Sequence, residues 1–581
     1  MKQYVLLSLL AALISGCINS NNKTGQGSNY PVAVCAPGTT DREWYNGDNK
    51  APLFEGLGEY EFPVTTDDTL VRKYINQGMI LAYGFNHAEA ARSFYYATRL
   101  DSSCAMAFWG YAYVLGPNYN AGMETDNYER AYQTVQTAKK LSRKNATPKE
   151  RLLIEALSHR YVSEPVDDRS SLDQAYARAM KTVYEKYPDD ADVSVLYAES
   201  LMNLHPWDLQ NKDGSDKEWT PEIISVLEKC MERHPRHPGV HHFYIHAVEA
   251  SDTPERALKS AKLFDEGLVP NSGHLVHMPS HVYIRTGDYH KGTLANINAI
   301  KVDSTYVTAC NAQGTYPLAY FPHNYHFMAA TATLEGNSAM ALLAARELQK
   351  TANKQLMKEP GWGTIQHYYT IPYYVMVKFG KWDDILAIKN ELPDLEYPTA
   401  ILQYARGMAQ VGKGNLKAAK GELAAIEKIA SNERLKEITI WDINSAYDLV
   451  QIAHKVLKAE IVAAEKQYTQ GIALLNEAIA IEDALNYNEP PDWFFSVRHY
   501  LGALQLEAAQ YNDAINTYKQ DLKNYPKNGW ALKGLSIAYQ KTGDTKNQQQ
   551  THALYETAWS GADVGIDGSV VKPSHMSRQF H

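Results

Sequence analysis

One stretch near the C-terminus constrains the fold most, because small and large residues recur in it at fixed spacings. In the 34 residues from 495 to 528, Gly502, Ala514 and Tyr518 are followed by Pro526. Small residues at such spacings let two antiparallel helices approach closely, and an aromatic ring fills the space beside them. Each pair leaves an apolar face that only the next pair can cover, so the pattern predicts a stack of helix pairs.

The same spacing recurs near the N-terminus, where Gly78, Ala90 and Phe94 repeat the order of small and aromatic residues. Strand-like alternation is nearly absent from the chain, so we predict an all-α fold. Glycine followed by Asp or Lys predicts turns between paired helices at Gly287, Gly380 and Gly543.

These residues resemble the tetratricopeptide repeat (TPR) family, and the resemblance extends over most of the chain. It implies a right-handed superhelical solenoid of TPR-like antiparallel helix pairs, with a concave groove where ligands bind. We expect N-terminal TPR-like repeats over 67–235, central His-rich repeats over 236–350, further helical repeats over 351–483, a C-terminal TPR pair over 484–560 and a tail over 561–581.

The first seventeen residues have the pattern of an export signal. Lys2 precedes an apolar run from Val5 to Ile14, which is too short for a membrane span. Small residues before Cys17 resemble a bacterial lipobox, in which the cysteine receives palmitate and becomes the mature N-terminus; the alternative is an ordinary signal peptide. We predict a signal peptide over 1–17, a tether and irregular segment over 18–66, and a lipid-anchored protein of the bacterial envelope, in the outer membrane and facing the periplasm or the surface.

Charge and cysteine content exclude two classes of function. The net charge is −9 and no long basic run occurs, which argues against a nucleic-acid partner. The four cysteines besides Cys17 are too widely spaced for a zinc ribbon or a CxxC redox motif.

Histidines are concentrated in one part of the chain. Eleven of the 20 lie between His234 and His326, and the stretch GHLVHMPSH holds three of them. His242 and His246 have the i, i+4 spacing that places two side chains on one face of a helix, and His277 and His281 repeat it one unit later. Such a pair can begin a zinc or copper site, although imidazoles that pack and hydrogen-bond without a metal are the alternative.

The family resemblance implies that these histidines line one shared groove. The predicted metal ligands are His242, His246, His277, His281, His323 and His326. Predicted groove residues around them are Glu249, His274, Arg285 and His367. Nitrogen ligands favour zinc or copper, whereas His242, His246 and Glu249 alone would suit iron.

Pro279 leaves two arrangements open for the GHLVHMPSH segment. If a helix begins at Gly273, Pro279 lies in its second turn and kinks it. If the helix begins near Met278, His274 and His277 lie on a loop.

Besides a purely structural scaffold for envelope assembly, two functions fit the sequence. The first is an exported TPR solenoid whose groove carries a His-rich metal or ligand site. The second is an accessory envelope lipoprotein, for example in polysaccharide utilisation, that binds a protein partner, a peptide or a glycan. No GxSxG, HExxH or phosphate-loop motif occurs, so the sequence favours a binding protein over a metal-dependent enzyme and assigns no catalytic residue.

Overall fold

The computed structural model describes residues 42–310 and 316–572, and its regular structure is almost entirely helical. Cys17 and the predicted signal peptide lie outside these ranges. Within them, no helix combines the length and the apolar character needed to cross a bilayer.

Helices follow one another along the whole described chain. The N-terminal part contains α1 (Arg42–Asn46), α2 (Thr69–Tyr83), α3 (His87–Leu100), α4 (Ala105–Val114), α5 (Tyr128–Ser142), α6 (Pro148–Ser158), α7 (Ser170–Lys186), α8 (Ala191–Met202) and α9 (Thr220–Arg233). The central part contains α10 (Pro238–Val248), α11 (Leu258–Asp265), α12 (Gly273–His277), α13 (Pro279–Thr286), α14 (Tyr289–Cys310), α15 (Phe321–Leu334), α16 (Ser338–Thr351), α17 (Gly363–Lys378) and α18 (Trp382–Ala387). The C-terminal part contains α19 (Glu396–Gly412), α20 (Leu416–Ala430), α21 (Ala446–Ala464), α22 (Tyr468–Ala484), α23 (Arg498–Glu507), α24 (Tyr511–Asn524), α25 (Gly529–Thr542) and α26 (Thr545–Ala558).

Short elements interrupt this series without changing its class. They are 3₁₀ turns at Thr125–Asn127, Pro254–Ala257, Leu356–Lys358 and Glu433–Glu437, a π-helical turn at Tyr316–Tyr320, and an antiparallel hairpin of β1 (Thr439–Ile440) and β2 (Asn444–Ser445). The predicted all-α, TPR-like array of antiparallel helix pairs is therefore confirmed.

The packing inside the pairs is the one that the glycine and aromatic spacing predicts. The ring of Phe94 on α3 is fully buried, and a Cβ atom at Gly78 would come within 2.6 Å of it. Tyr518 on α24 occupies the equivalent place, where its ring would overlap a Cβ atom at Gly502. Only glycine leaves room for these rings. The helix pairs at both ends of the array are therefore packed through the same kind of glycine–aromatic contact.

A glycine exchange tests this packing. We expect Gly502→Ala to destabilise the protein by about 1–3 kcal/mol, since its methyl group would overlap the Tyr518 ring. Gly421 lies inside α20, where an added methyl group would meet no atom within 4 Å, so Gly421→Ala should instead stabilise by about 0.5–1 kcal/mol. Denaturant unfolding of both variants measures the difference, and equal effects would contradict the assigned packing.

The array turns back on itself, so that its C-terminal helices contact its central ones. The indole Nε1 of Trp530 on α25 donates to the carbonyl of Thr333 on α15, at 2.9 Å. Beyond α26, the carboxylate of Asp563 accepts from the backbone N–H groups of Ser338 (2.7 Å) and Ala339 (2.8 Å) at the start of α16. This return encloses the middle of the molecule.

The irregular residues before α2 pack on the first repeats. The Phe62 ring stacks on the Trp109 ring at a centroid distance of 5.6 Å, and Ala51 is buried. The Tyr60 hydroxyl donates to the carboxylate of Asp192. The described part of the predicted tether segment is thus in contact with the repeats.

Candidate functional site: a buried polyhistidine cluster

Seven histidines from four helices lie in the central part of the array. They are His242 and His246 on α10, His274 and His277 on α12, His281 on α13, and His323 and His326 on α15. Their side chains are buried except that of His323, which is half-buried. Helix spacing places the i, i+4 pairs on one face, and packing of successive helices brings those faces together.

The backbone around Pro279 combines parts of the two arrangements left open by the sequence: a helical turn begins at Gly273, and a separate helix begins at Pro279. The helical turn α12 begins at Gly273, and Met278 keeps helical torsion angles of −51° and −34°. Pro279 then begins α13 in its first turn, where the missing N–H group is not required. His274 and His277 are therefore on helical backbone.

His242, His246 and His274 form what we call the first triad. One ring nitrogen from each can be chosen so that all three lie within 4.8 Å of one another. The Nε2 atoms of His242 and His274 are only 3.1 Å apart. The Nε2 atom of His246 is buried and has no hydrogen-bond partner among the described residues.

His277, His281 and His323 form the second triad. Here too, one ring nitrogen from each residue can be chosen so that all three lie within 4.8 Å of one another. Here the Nε2 atoms of His277 and His281 lie 3.0 Å apart. The His323 ring lies 4.9 Å from the His277 ring, measured between centroids. Each triad thus combines an i, i+4 pair with a third ring from elsewhere in the cluster.

Several rings have a side-chain oxygen within hydrogen-bond distance of the Nδ1 atom, which faces away from the triad. His246 Nδ1 lies 2.8 Å from Glu249 Oε1, and His277 Nδ1 lies 2.7 Å from Asn296 Oδ1. The Asn296 amide donates to the Gly292 carbonyl, which leaves its oxygen facing His277. This contact holds the proton of His277 on Nδ1 and turns the lone pair of Nε2 toward the triad.

Two carboxylates reach His281. Its Nδ1 donates to Glu489 Oε2 at 3.1 Å and lies 2.5 Å from Glu249 Oε2. Glu249 also contacts His246, so one carboxylate lies behind a ring of each triad. Buried oxygens of this kind fix the orientation of metal-binding imidazoles in other proteins.

Burial determines the charge state of most of the rings. It lowers the pKa of His242, His274, His277 and His323 well below the usual value, and the neighbouring rings lower it further. These imidazoles are therefore neutral at pH 7, as metal ligands must be.

His281 differs because of its two carboxylates. Burial alone would lower its pKa, but Glu249 and Glu489 raise the pKa to about 10. Burial would raise the pKa of Glu249, but His281 and His246 lower that pKa to about 2. Glu249 is therefore ionised inside the cluster.

Aromatic residues in strained backbone conformations enclose the first triad. Phe85 has φ of 54°, and its ring lies 4.6 Å from that of His242 and 5.2 Å from that of His274. Trp207 has φ of 56°, and its ring lies 5.7 Å from that of His246. Such conformations cost on the order of 1–3 kcal/mol for residues other than glycine, so the surrounding structure holds these rings in place.

A cavity of about 1590 Å³ reaches the cluster from one side. Its wall includes His246 and Glu249 of the central repeats, Trp207 of the loop between α8 and α9, and Tyr487 and Glu489 of the segment before α23. Eleven acidic and six basic side chains line it, so its field attracts cations.

Some predicted residues lie outside the triads. The ring of His326 stacks on Phe494 at 5.1 Å and lies 5.4 Å from that of His367, away from the other predicted ligands. Arg285 donates to the Glu249 carbonyl at 3.1 Å, and its Nε lies 4.0 Å from Glu489 Oε1. His274, predicted only as a groove residue, completes the first triad.

Sequence reasoning did not place Asn296 or Glu489 in the cluster. Asn296 lies nineteen residues after His277, on the next long helix, and only its place opposite that ring could have indicated it. Glu489 lies 208 residues from His281. The segment EPPDWFF is the one local signal there, since its two prolines cannot continue a helix.

No protein-family model and no curated protein sequence matches this chain. Among solved structures, the chain is similar to a human IFIT1 dimer with m7Gppp-AAAA, at 12% identity over 86% of this chain and 91% of that one, with a TM-score of 0.31. It is also similar to the Cut9–Hcn1 hetero-tetramer of the APC/C, at 11% identity over 84% of this chain and 80% of that one, with a TM-score of 0.36. Its own geometry defines the chain as a helical-repeat protein with a buried polyhistidine cluster.

Proposed function

We propose that this chain is a metal-binding protein, in which each histidine triad holds one transition-metal ion. The observation that carries the proposal is the pair of Nε2–Nε2 distances, 3.1 Å in the first triad and 3.0 Å in the second. Zinc–nitrogen bonds of about 2.0–2.1 Å place neighbouring ligand atoms about 2.9–3.4 Å apart, depending on the coordination angle. Both distances fall in that range.

Proton placement supports the same conclusion in the second triad. Asn296 holds a proton on Nδ1 of His277, and two carboxylates hold one on Nδ1 of His281. Two neutral rings would then direct their Nε2 lone pairs at each other, and a cation between them removes that repulsion. Without an ion, the raised pKa of His281 keeps a proton on its Nε2, and that N–H donates to His277 Nε2 at 3.0 Å.

Imidazole ligands suit zinc and copper better than magnesium or calcium, which prefer oxygen. Each triad provides three nitrogens, as in zinc sites that keep a fourth position for water or substrate. The chain therefore has the ligands for a site that can exchange a small fourth ligand.

Elemental analysis of the purified full chain tests the proposal. We expect two zinc or copper ions per chain, and none in a His246→Ala/His281→Ala variant that removes one ligand from each triad. His326→Ala is the matched control, because it removes a buried imidazole outside both triads. Wild-type protein that takes up no metal from a zinc or copper buffer would contradict the proposal.

Asn296 provides a second, graded test. Asn296→Ala should weaken metal affinity by about 10- to 100-fold, since the His277 ring loses the partner that orients it. Asn203→Ala removes another buried amide, which is bonded to Glu199 and to no triad histidine, and should leave affinity unchanged. Competition with a chromophoric chelator measures both, and equal affinities in the two variants would exclude the orienting role.

We further propose that the chain is exported and anchored by a lipid on Cys17. The support is the sequence of the first seventeen residues, whose short apolar run ends in small residues before the cysteine. Labelling with a palmitate analogue should mark the wild-type chain and not Cys17→Ser, and the variant should leave the membrane fraction. Labelling of both proteins would contradict the anchor.

The cavity favours a second function, the binding of a glycan or peptide. Tyr119, Trp207 and Trp493 offer aromatic surfaces in its wall, beside many polar groups. If the chain takes up no metal but binds a glycan, and Trp207→Ala abolishes that binding, the cavity and not the triads would be the site.

A further inference from the structure

We propose that the protein has a second ligand site, which binds an aliphatic alcohol in a cavity formed by α17, α19, α21 and the segment after α26. The cavity has a volume of about 330 Å³. Among the described residues, its wall includes no histidine of either triad. The proposal is therefore independent of the metal-binding function.

Much of the cavity wall is apolar. It includes Val377 on α17, Met408 on α19, Ala463 on α21 and Val570 after α26. All four residues are buried. An apolar cavity of about 150 Å³ can hold benzene, so a cavity of this larger size suits a chain of about eight carbon atoms.

Two polar groups in this wall have an atom without a hydrogen-bond partner among the described residues. These atoms are the indole Nε1 of Trp382, on α18, and Oε1 of Glu460, on α21. Trp382 is 5% exposed and Glu460 is 7% exposed. Leaving a buried donor or acceptor unpaired is costly, so a ligand that pairs with it gains affinity.

Both polar groups lie beside other residues of the cavity wall. Gly412 is in the wall at the end of α19, and a Cβ atom there would come within 2.7 Å of Trp382 Nε1. Only glycine leaves this N–H group uncovered. Glu460 interacts electrostatically with Lys572 and Glu507 of the same wall. A ligand in the cavity can therefore reach both groups.

The lysine amines of the wall have other partners or contact water. Lys572 Nζ lies 2.6 Å from Glu507 Oε1. Lys378 Nζ lies 2.8 Å from His499 Nδ1. The third lysine, Lys466, is exposed. The two unpaired atoms are therefore the groups that select the polar end of the ligand.

A hydroxyl group suits both atoms in either protonation state of Glu460. The indole N–H only donates, so the ligand must accept there. The Glu460 carboxyl group accepts when it is ionised and can also donate when it is protonated. A carboxylate ligand only accepts and an ammonium ligand only donates, whereas a hydroxyl group does both. An uncharged hydroxyl group also avoids the cost of burying a charge.

The segment after α26 forms one wall of the cavity and is held in place by its own contacts. Ser569 Oγ donates to the His499 carbonyl at 2.7 Å. Val571 packs on Gly380, where a Cβ atom would come within 2.6 Å of its side chain. The cavity is therefore formed before a ligand binds, as is usual for small-molecule sites.

Calorimetric titration of the full chain with octanol, octanoate and octylamine tests the proposal. These three probes have the same chain length and differ only in the polar group. We expect one octanol molecule to bind per chain. Octanoate and octylamine should bind about tenfold more weakly, because each leaves a buried polar atom unpaired or buries a charge.

Two variants assign the binding to this cavity. Trp382→Phe removes the N–H group and keeps an aromatic ring, and Glu460→Leu replaces the carboxyl group by an apolar group of similar size. Each should weaken octanol binding by about tenfold. Trp362→Phe is the matched control and should bind as wild type, because Trp362 Nε1 is also buried and unpaired but lies outside this cavity. Circular dichroism checks that the variants are folded.

Each contrary result overturns a stated part of the proposal. A full chain that binds no octanol has no such site. Octanoate or octylamine binding as tightly as octanol would contradict the selection of a hydroxyl group. Unchanged octanol affinity in both Trp382→Phe and Glu460→Leu would show that the alcohol binds elsewhere. Metal content, measured separately, decides the metal-binding function.

Discussion

On the metal-binding function proposed above, chelation is expected to lower the thermal unfolding midpoint of this protein by about 8 °C. An ion present at about 1,000 times its dissociation constant stabilises the folded state by about 4 kcal/mol, and two ions by about 8 kcal/mol. An unfolding entropy of about 2.1 cal/mol/K per residue over roughly 500 ordered residues converts this energy into that shift.

The measurement is a melting curve with and without chelator, followed by metal addition to restore the higher midpoint. The His246→Ala/His281→Ala variant is the control, because it should melt at the same lower temperature with or without chelator. A wild-type midpoint that ignores both chelator and metal would show that the triads hold no ion under these conditions.

The second large effect is expected at the contact between the C-terminal and central helices. Trp530 is fully buried, and it donates to Thr333 of the helix that also carries His323. Trp530→Ala should cost about 3–5 kcal/mol, because it opens a large cavity in the packed interior. Denaturant unfolding measures the loss, and limited proteolysis should cut the C-terminal helices first.

Two further substitutions serve as controls for this prediction. Trp530→Phe keeps most of the buried ring and should lose considerably less stability than Trp530→Ala. Leu554→Ala changes a side chain that is 57% exposed on α26 and should alter stability by about 0.5 kcal/mol at most. If Trp530→Ala were as stable as Leu554→Ala, the return contact would not hold the array together.

The repeat fold could be predicted from the sequence because its determinants are local. Gly78 and Phe94 are sixteen residues apart, as are Gly502 and Tyr518, and this spacing specifies one helix pair wherever it occurs. The turn glycines were predicted on the same basis, and Gly287, Gly380 and Gly543 all have positive φ angles.

The cluster could be predicted only in part. The i, i+4 spacing of His242 and His246 places both on one helix face, and the structure brings them together. That rule does not state which neighbouring helix supplies the third ring. His274 lies beside this pair, whereas His326 packs on Phe494 from the segment before α23. These placements depend on how successive pairs rotate relative to one another, which a single repeat does not encode.

The distance of Glu489 along the chain has a consequence for synthesis. All six triad histidines have left the ribosome well before the carboxylate that contacts His281 is made, because that carboxylate belongs to residue 489. A nascent chain therefore presents its imidazoles long before the last wall of the cavity exists. On the metal-binding function proposed above, slow metal release would be expected only from the completely synthesised and folded chain.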